Sequence, residues 1–204
     1  MSRPHSFSRS FARGHSVNGA IILKHLGYKV GRSKNWRNEK QWCYNSTQEL
    51  AKKMPYLSPS AIDANIRKLK AKEVLEIGCY NKWKQDRTRW FHVPAHIRNE
   101  VDKDLVSFDP NDARTHGVPA AVLLFNLRYW IKKELKKATD TNVAHEMSPS
   151  ELNRHLPFSV STIKSALKTL EKAGAIIRTS KNMSEYSLPP GEMQQLRREA
   201  KLKT

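Results

Sequence analysis

The sequence predicts a mainly α-helical protein with small β-hairpins, an α+β chain in which one module is used twice. Three observations predict it. The 204-residue chain slides onto itself by about a hundred residues, so that Phe7, Ala12, Arg13, His15 and Val17 meet Phe108, Ala113, Arg114, His116 and Val118. Each copy also holds a start signal, a short helix stopped by proline, and a second helix behind a capping serine. These are Ser46, Glu49, Pro55 and Ser58 in the first copy, and Ser148, Glu151, Pro157 and Ser159 in the second. Finally, two β-prone runs separated by a polar stretch follow that second helix in both copies. Helix, strand, helix-turn-helix and hairpin, in that order, outline a winged helix-turn-helix domain, here in tandem.

Residues 1–93 form the first expected domain, with residues 1–6 as a short tail. The opening MSRPHSFSRSFARGH is rich in Arg and Ser and lacks acid, as transit peptides and disordered arms do. Because Phe7, Ala12, Arg13 and His15 recur in the interior, the module is taken to begin near residue 7. An apolar helix runs from Gly19 to about Lys29, with Ile22, Leu23 and Leu26 at helical spacing. The extended piece WCYN (42–45) follows, and then the capping box Ser46/Glu49. The second helix of the pair carries Ile62, Ile66 and Leu69 on its apolar face. VLEIGCY (74–80) and RTRWFHV (87–93) read as strands around the tip NKWKQD.

Residues 94–107 read as an acidic connector containing one short helix. The second domain spans 108–188. Its first helix starts at Pro119, a favourable first-turn proline, and AHEM (144–147) is its short strand. A capping box is expected again at Ser148/Glu151, Gly174 supplies a helix stop, and AIIRT (175–179) and SEYSL (184–188) form the hairpin. Residues 189–204 read as a basic C-terminal helix.

Charge limits the partners. Lys and Arg number 37 against 19 Asp and Glu, a formal net charge of +18, which calls for a polyanion. Residues 1–93 carry 19 basic and 6 acidic side chains, residues 120–204 carry 15 and 8, and residues 94–119 carry 3 and 5. The first copy is therefore the expected main phosphate binder. No apolar run approaches the ~18 residues of a membrane span, and two cysteines, Cys43 and Cys79, fit a reducing compartment such as the bacterial cytoplasm or nucleoid.

The candidate site residues lie on the outer faces of the second helices and on the hairpin tips. In the first copy Ser60, Asp63, Ala64, Asn65, Arg67 and Lys68 are expected to face DNA, because Arg suits guanine edges and Asn suits adenine. Lys82, Lys84, Arg87 and Arg89 form a basic wing suited to backbone or minor groove, and Trp83 beside them is expected to fold back on the domain. In the second copy Ser161, Lys164, Ser165, Lys168 and Thr169 occupy the matching face, better suited to phosphate than to bases. Lys181 and Asn182 form its smaller wing. Arg13, His15, Arg114 and His116 are expected to be structural. Catalytic signatures are missing: there is no Gly-rich phosphate loop ending in Gly-Lys-Ser/Thr, and Cys43, Cys79, His92 and His96 lack the paired spacing of zinc ligands. The expectation is a non-enzyme without metal or cofactor.

Tyr129-Trp130 at a helix end, Trp42-Cys43-Tyr44-Asn45 in a strand, and Pro157-Phe158 followed by Thr162-Ile163 resemble the N-terminal winged-helix domains of phage and plasmid replication proteins. These include replisome-organiser and DnaD-type proteins. The resemblance covers residues 7–93 and 108–188. The chain departs from the family in carrying two such domains and no recognisable helicase-binding domain. The resemblance implies sequence-specific binding of double-stranded DNA at a replication origin of a mobile element. A transcription regulator on the same scaffold, or an adaptor that docks a replication or transcription protein, remains open beside it.

Overall fold

The computed structural model describes residues 3–83, 85–136, 143–179 and 184–201. It is 57% helix, with ten helices among those residues and small antiparallel sheets. The chain divides into two compact units, residues 5–107 and residues 108–204 together with 1–4.

In the first unit β1 (His5–Ser8) leads into α1 (Arg9–His15), whose first turn is capped by Ser8 Oγ accepting from the Phe11 amide. The chain then turns a corner at Ser16 into α2 (Val17–Arg32). Helix α2 buries Ala20, Ile22, Leu23, Leu26 and Val30 completely. A hairpin of β2 (Asn35–Arg37) and β3 (Lys40–Asn45) follows. Its two-residue turn, Asn38–Glu39, has both φ angles positive, the backbone that matches the twist of paired strands. Next come α3 (Thr47–Lys53), α4 (Pro59–Ala71), β4 (Glu76–Gly78) and β5 (Arg89–His92), giving a sheet of order β2-β3-β5-β4. Phe91 lies opposite both Cys43 and Ile77, and Cys43 Sγ donates to the Leu26 carbonyl of α2 at 3.9 Å. That burial pushes the Cys43 thiol up to about 11.

The expected connector folds within this unit. Helix α5 (Ala95–Val101) packs on α2, and β6 (Leu105–Phe108) pairs with β1. Its acids neutralise cations of the unit: Asp102 accepts from Lys24 at 2.6 Å and Asp104 pairs with Arg9 at 2.7 Å.

The second unit repeats the order. It runs α6 (Pro110–His116), α7 (Val118–Leu135), β7 (His145–Glu146), α8 (Pro149–His155), α9 (Val160–Lys172), β8 (Ile177–Arg178), β9 (Glu185–Ser187) and α10 (Pro190–Lys201). Its sheet has the order β7-β9-β8, matching β3-β5-β4. The C-terminal helix α10 packs on α7 through Met193, Leu196 and Ala200, all buried. Arg128 of α7 bridges Asp112 and Glu192, and Lys132 pairs with Glu199 at 2.6 Å.

Two corners are shared and are met with different residues. Between the first two helices Gly117 adopts φ +84° and its counterpart Ser16 φ +68°. Both have ψ near 155–159°, a region favourable only to glycine. Ser16 is held there by its side chain, which accepts from the Gly19 amide at 3.1 Å and donates to Asn65 Oδ1 at 3.0 Å. After the fourth helix Gly174 has φ +66° and its counterpart Glu73 φ +57°.

The caps also differ. The capping box Ser46/Glu49 forms with both reciprocal bonds, and Ser58 and Ser159 cap α4 and α9. The expected box Ser148/Glu151 does not form, since Ser148 makes no side-chain cap bond. Pro149 at the first helical position preorganises that turn instead.

Gly174→Ala is expected to lower stability by about 1–2 kcal/mol, because an added Cβ meets nothing within 4 Å and the penalty is one of backbone conformation alone. Glu73→Gly, which relieves the same penalty, raises stability by less than about 1 kcal/mol. Urea unfolding of both variants measures the two signs.

A pH dependence follows from His25 in α2, whose Nε2 is shielded from solvent and meets no hydrogen-bond partner among the described residues. Burial, joined by Lys29, His5 and Lys53, pulls it down from 6.5 to about 4. The unfolded chain therefore takes up a proton near pH 6.5 that the folded protein refuses until about pH 4. Stability is full above pH 6.5 and falls across that window, by about 3 kcal/mol in total. In urea titrations at a series of pH values, His25→Leu flattens this part of the curve.

Candidate nucleic-acid interface

Helices α3 and α4 are consecutive, joined by a short turn, and packed on each other in the first unit. Helix α3 ends at Lys53, and its last backbone bond is closed by Met54, with Pro55 following. Helix α4 seats Ile62, Ile66 and Leu69 in the core and packs on α2 and α3. Its opposite face exposes Ser60, Arg67 and Lys68, with Ala64 half-buried at the centre. Among the described residues no hydrogen bond or ion pair engages the Arg67 guanidinium or the Lys68 ammonium.

Two expected site residues on α4 are turned to the protein instead. Asn65 Oδ1 accepts from Ser16, and its Nδ2 donates to the Ala61 carbonyl at 2.8 Å. Asp63 Oδ1 accepts from Thr47 at 2.9 Å and from Arg89 at 2.6 Å. The Asp63–Arg89 pair ties the exposed helix to strand β5 and to the start of α3, which removes Arg89 from the wing.

The loop between β4 and β5 is organised by Asn81. Its Nδ2 donates to the carbonyls of Asp86 and Thr88 at 3.0 and 2.6 Å, and its Oδ1 accepts from Trp90 Nε1 at 2.7 Å. Asp86 turns the far side by accepting from the Thr88 amide, a bond that lowers its carboxyl below the usual range. Lys82 and Arg87 are exposed on this loop, and Lys84 lies outside the described residues. Trp83, expected to fold back, is 77% exposed. The loop is closed by its own polar bonds and offers the indole no apolar bed.

In the second unit α9 seats Ile163, Ala166, Leu167 and Leu170 and exposes Ser161, Lys164, Ser165, Lys168 and Thr169. The two lysines have no ion-pair partner among the described residues. Two of the hydroxyls are already bonded locally: Ser161 bonds Ser159 at 2.9 Å, and Thr169 donates to the Ser165 carbonyl at 2.9 Å. Ser161, Ser165 and Thr169 border a shallow hollow of about 380 Å³ with His116 of α6 on its other wall. Lys181 and Asn182 lie outside the described residues.

Sequence reasoning missed one surface. The sheet of the first unit carries Trp42, Tyr44, Tyr80 and Trp90 in ring contact. The signal was present in the alternation of WCYN and RWFH, whose every second residue is aromatic or histidine. Comparison with family models, with curated proteins and with solved structures finds no match for this chain. No helix among the described residues is long and apolar enough to cross a membrane.

Asn65→Ala is expected to act on the fold rather than on base choice. It lowers the stability of the first unit by about 1 kcal/mol through the lost Ser16 bond and leaves duplex sequence preference unchanged. Thermal unfolding together with binding to a panel of single-base operator variants separates the two effects.

Proposed function

We propose that this chain is a double-stranded-DNA-binding protein of a mobile element, built from two winged helix-turn-helix domains and acting by binding rather than by catalysis. The winged-helix reading is supported by the shared order of elements and by the matching sheets β3-β5-β4 and β7-β9-β8. One observation carries the DNA reading. In both units the second helix of the pair is anchored by its apolar stripe and turns outward cations with no protein partner among the described residues, Arg67 and Lys68 on α4 and Lys164 and Lys168 on α9.

The roles divide by chemistry. Arg67 offers a planar fork that matches the acceptor pair of guanine in the major groove. Ser60 and Ala64 beside it are small enough to let the helix approach. Helix α9 has lysines and locally bonded hydroxyls, which suit the backbone. Linked in one chain, the second domain raises the affinity of the first through effective concentration. The resemblance to replication proteins favours an origin as the place of binding.

The test is selection from a random duplex library at about 150 mM salt, where nonspecific phosphate binding is weakened. An extended or two-part consensus is the expected result, and its position at an origin or over a promoter separates replication from transcription control. On the selected site Arg67→Ala costs about 1–3 kcal/mol and relaxes preference at one position. Lys68→Ala weakens selected and random duplexes alike. Enrichment of no sequence, or equal losses on both duplexes for Arg67→Ala, overturns the reading.

A further inference from the structure

The face of the first unit's sheet that turns away from α2 is aromatic, and the corresponding face of the second unit is not. Alternation along β3 and β5 sends Cys43 and Phe91 inward and leaves Tyr44 opposite Trp90 on the other side. Tyr44 meets Trp90 at 5.1 Å between ring centres, Trp90 meets Tyr80 at 5.4 Å, and Tyr80 meets Trp42 at 5.1 Å. The row is continuous and tightly seated. Gly78 lies opposite Trp90 in β4, and a Cβ there would come within 2.7 Å of Tyr80 and 3.0 Å of Trp42.

Both indole N–H groups are already used, Trp90 on Asn81 Oδ1 and Trp42 on the Arg37 carbonyl at 3.2 Å. Trp42 is buried and Tyr80 and Trp90 are half-buried, so what the row offers outward is chiefly the ring of Tyr44 at its end, 51% exposed. The Arg37 guanidinium stands 6.0 Å from the Trp90 ring centre, and Lys82 and Arg87 extend from the loop that follows Tyr80.

The second unit shows that the module does not need this face in order to fold. Trp90 is there replaced by Glu185, while Tyr186, buried with its hydroxyl bonded to Arg178, takes the inward place of Phe91. Opposite Glu185 in β7 stands Glu146, exposed, in the place of Tyr44. An aromatic row that surfaces at an exposed Tyr44, present in only one of two copies and in the copy with the larger positive charge, points to a ligand rather than to packing alone.

Ring faces flanked by cations select a ligand that is anionic and also presents flat apolar faces. Unpaired nucleotides meet both conditions. A duplex does not, because its base faces are covered by their neighbours in the stack. We propose that this sheet face binds single-stranded DNA, with a base stacked on Tyr44 and the adjoining phosphates held by Arg37, Lys82 and Arg87. It uses no residue of α4, so it stands or falls separately from duplex recognition.

The experiment measures fluorescence anisotropy of the full chain with a labelled 15-mer of thymidine and with a 15-base-pair duplex carrying the selected site, both at about 150 mM salt. The wild type is expected to bind the single strand with quenching of tryptophan emission. Tyr44→Ala weakens single-strand binding roughly 5- to 150-fold and leaves duplex binding within about twofold, while Tyr44→Phe keeps both. Arg67→Ala shows the reverse pattern, which makes failure of the duplex reading distinguishable from failure of this one. Three results overturn the proposal: no single-strand binding by the wild type, full single-strand affinity in Tyr44→Ala, or full affinity in Tyr44→Leu, which keeps apolar bulk without a ring. Tighter binding of the uridine 15-mer than of thymidine overturns the assignment to DNA. Circular dichroism of each variant confirms that Tyr44, being half exposed, was replaced without loss of fold.

Discussion

Burial of one helix, α2 in the first unit and α7 in the second, is the constraint from which each unit is organised. Helix α2 is in contact with α1, α4, α5, β1, β3 and β5, and α7 with α6, α9, α10, β7 and β9. Each fully buried Leu or Ile on these helices contributes about 1.5–3 kcal/mol. An exposed α4 can keep one stable orientation only because its apolar stripe is locked against α2. The sheet likewise has an inner face only because Cys43 and Phe91 reach the same helix. The outward faces of α4 and of the sheet are thus what remains once the central helix has been covered.

The two copies keep the core and change the rest. Ala20 and Ala121, Leu23 and Leu124, Leu26 and Leu127, Ile62 and Ile163, and Leu69 and Leu170 are all buried. Around them, Arg67 and the aromatic row occur in one copy only. Polar ties are redistributed as well: the first unit stiffens α4 with Ser16–Asn65 and Asp63–Arg89, while the second braces α7 against α10 with Arg128 and Lys132. Tyr28 and Tyr129 are an exception, exposed in both units at 60% and 57%. Core packing does not explain why both are tyrosine.

The helix pairs α3–α4 and α8–α9 were legible because their signals are local. A capping serine and a following proline act within one turn of the helix they delimit, so Ser58, Ser159, Pro55 and Pro157 mark real ends. Helices α1 and α6 went unseen because seven residues are too few for a periodic stripe, and each has a single buried apolar alanine near its middle. The β2–β3 hairpin was hidden by Glu39, a residue type that gives no turn signal although its φ is positive. The Ser148/Glu151 spacing promised a box that Pro149 made unnecessary. Misplaced site residues share one cause: a helical wheel assigns a face but not a partner. Asn65 is taken by Ser16 and Asp63 by Arg89, residues distant in sequence.

Net charge alone overstates what DNA would feel. At physiological salt the screening length is about 8 Å, so only cations close to a phosphate count. The fold sorts them. Lys24 and Arg9 are neutralised by the acids after α5, and Lys40 by Glu76, whereas Arg67, Lys68, Lys82 and Arg87 are left without such partners among the described residues. The acidic segment that looked like an inert connector therefore shapes the field. By quenching cations on α1 and α2, it concentrates the remaining charge beside α4 and the hairpin loop, where a polyanion can be held in a defined register instead of adhering anywhere on a basic surface.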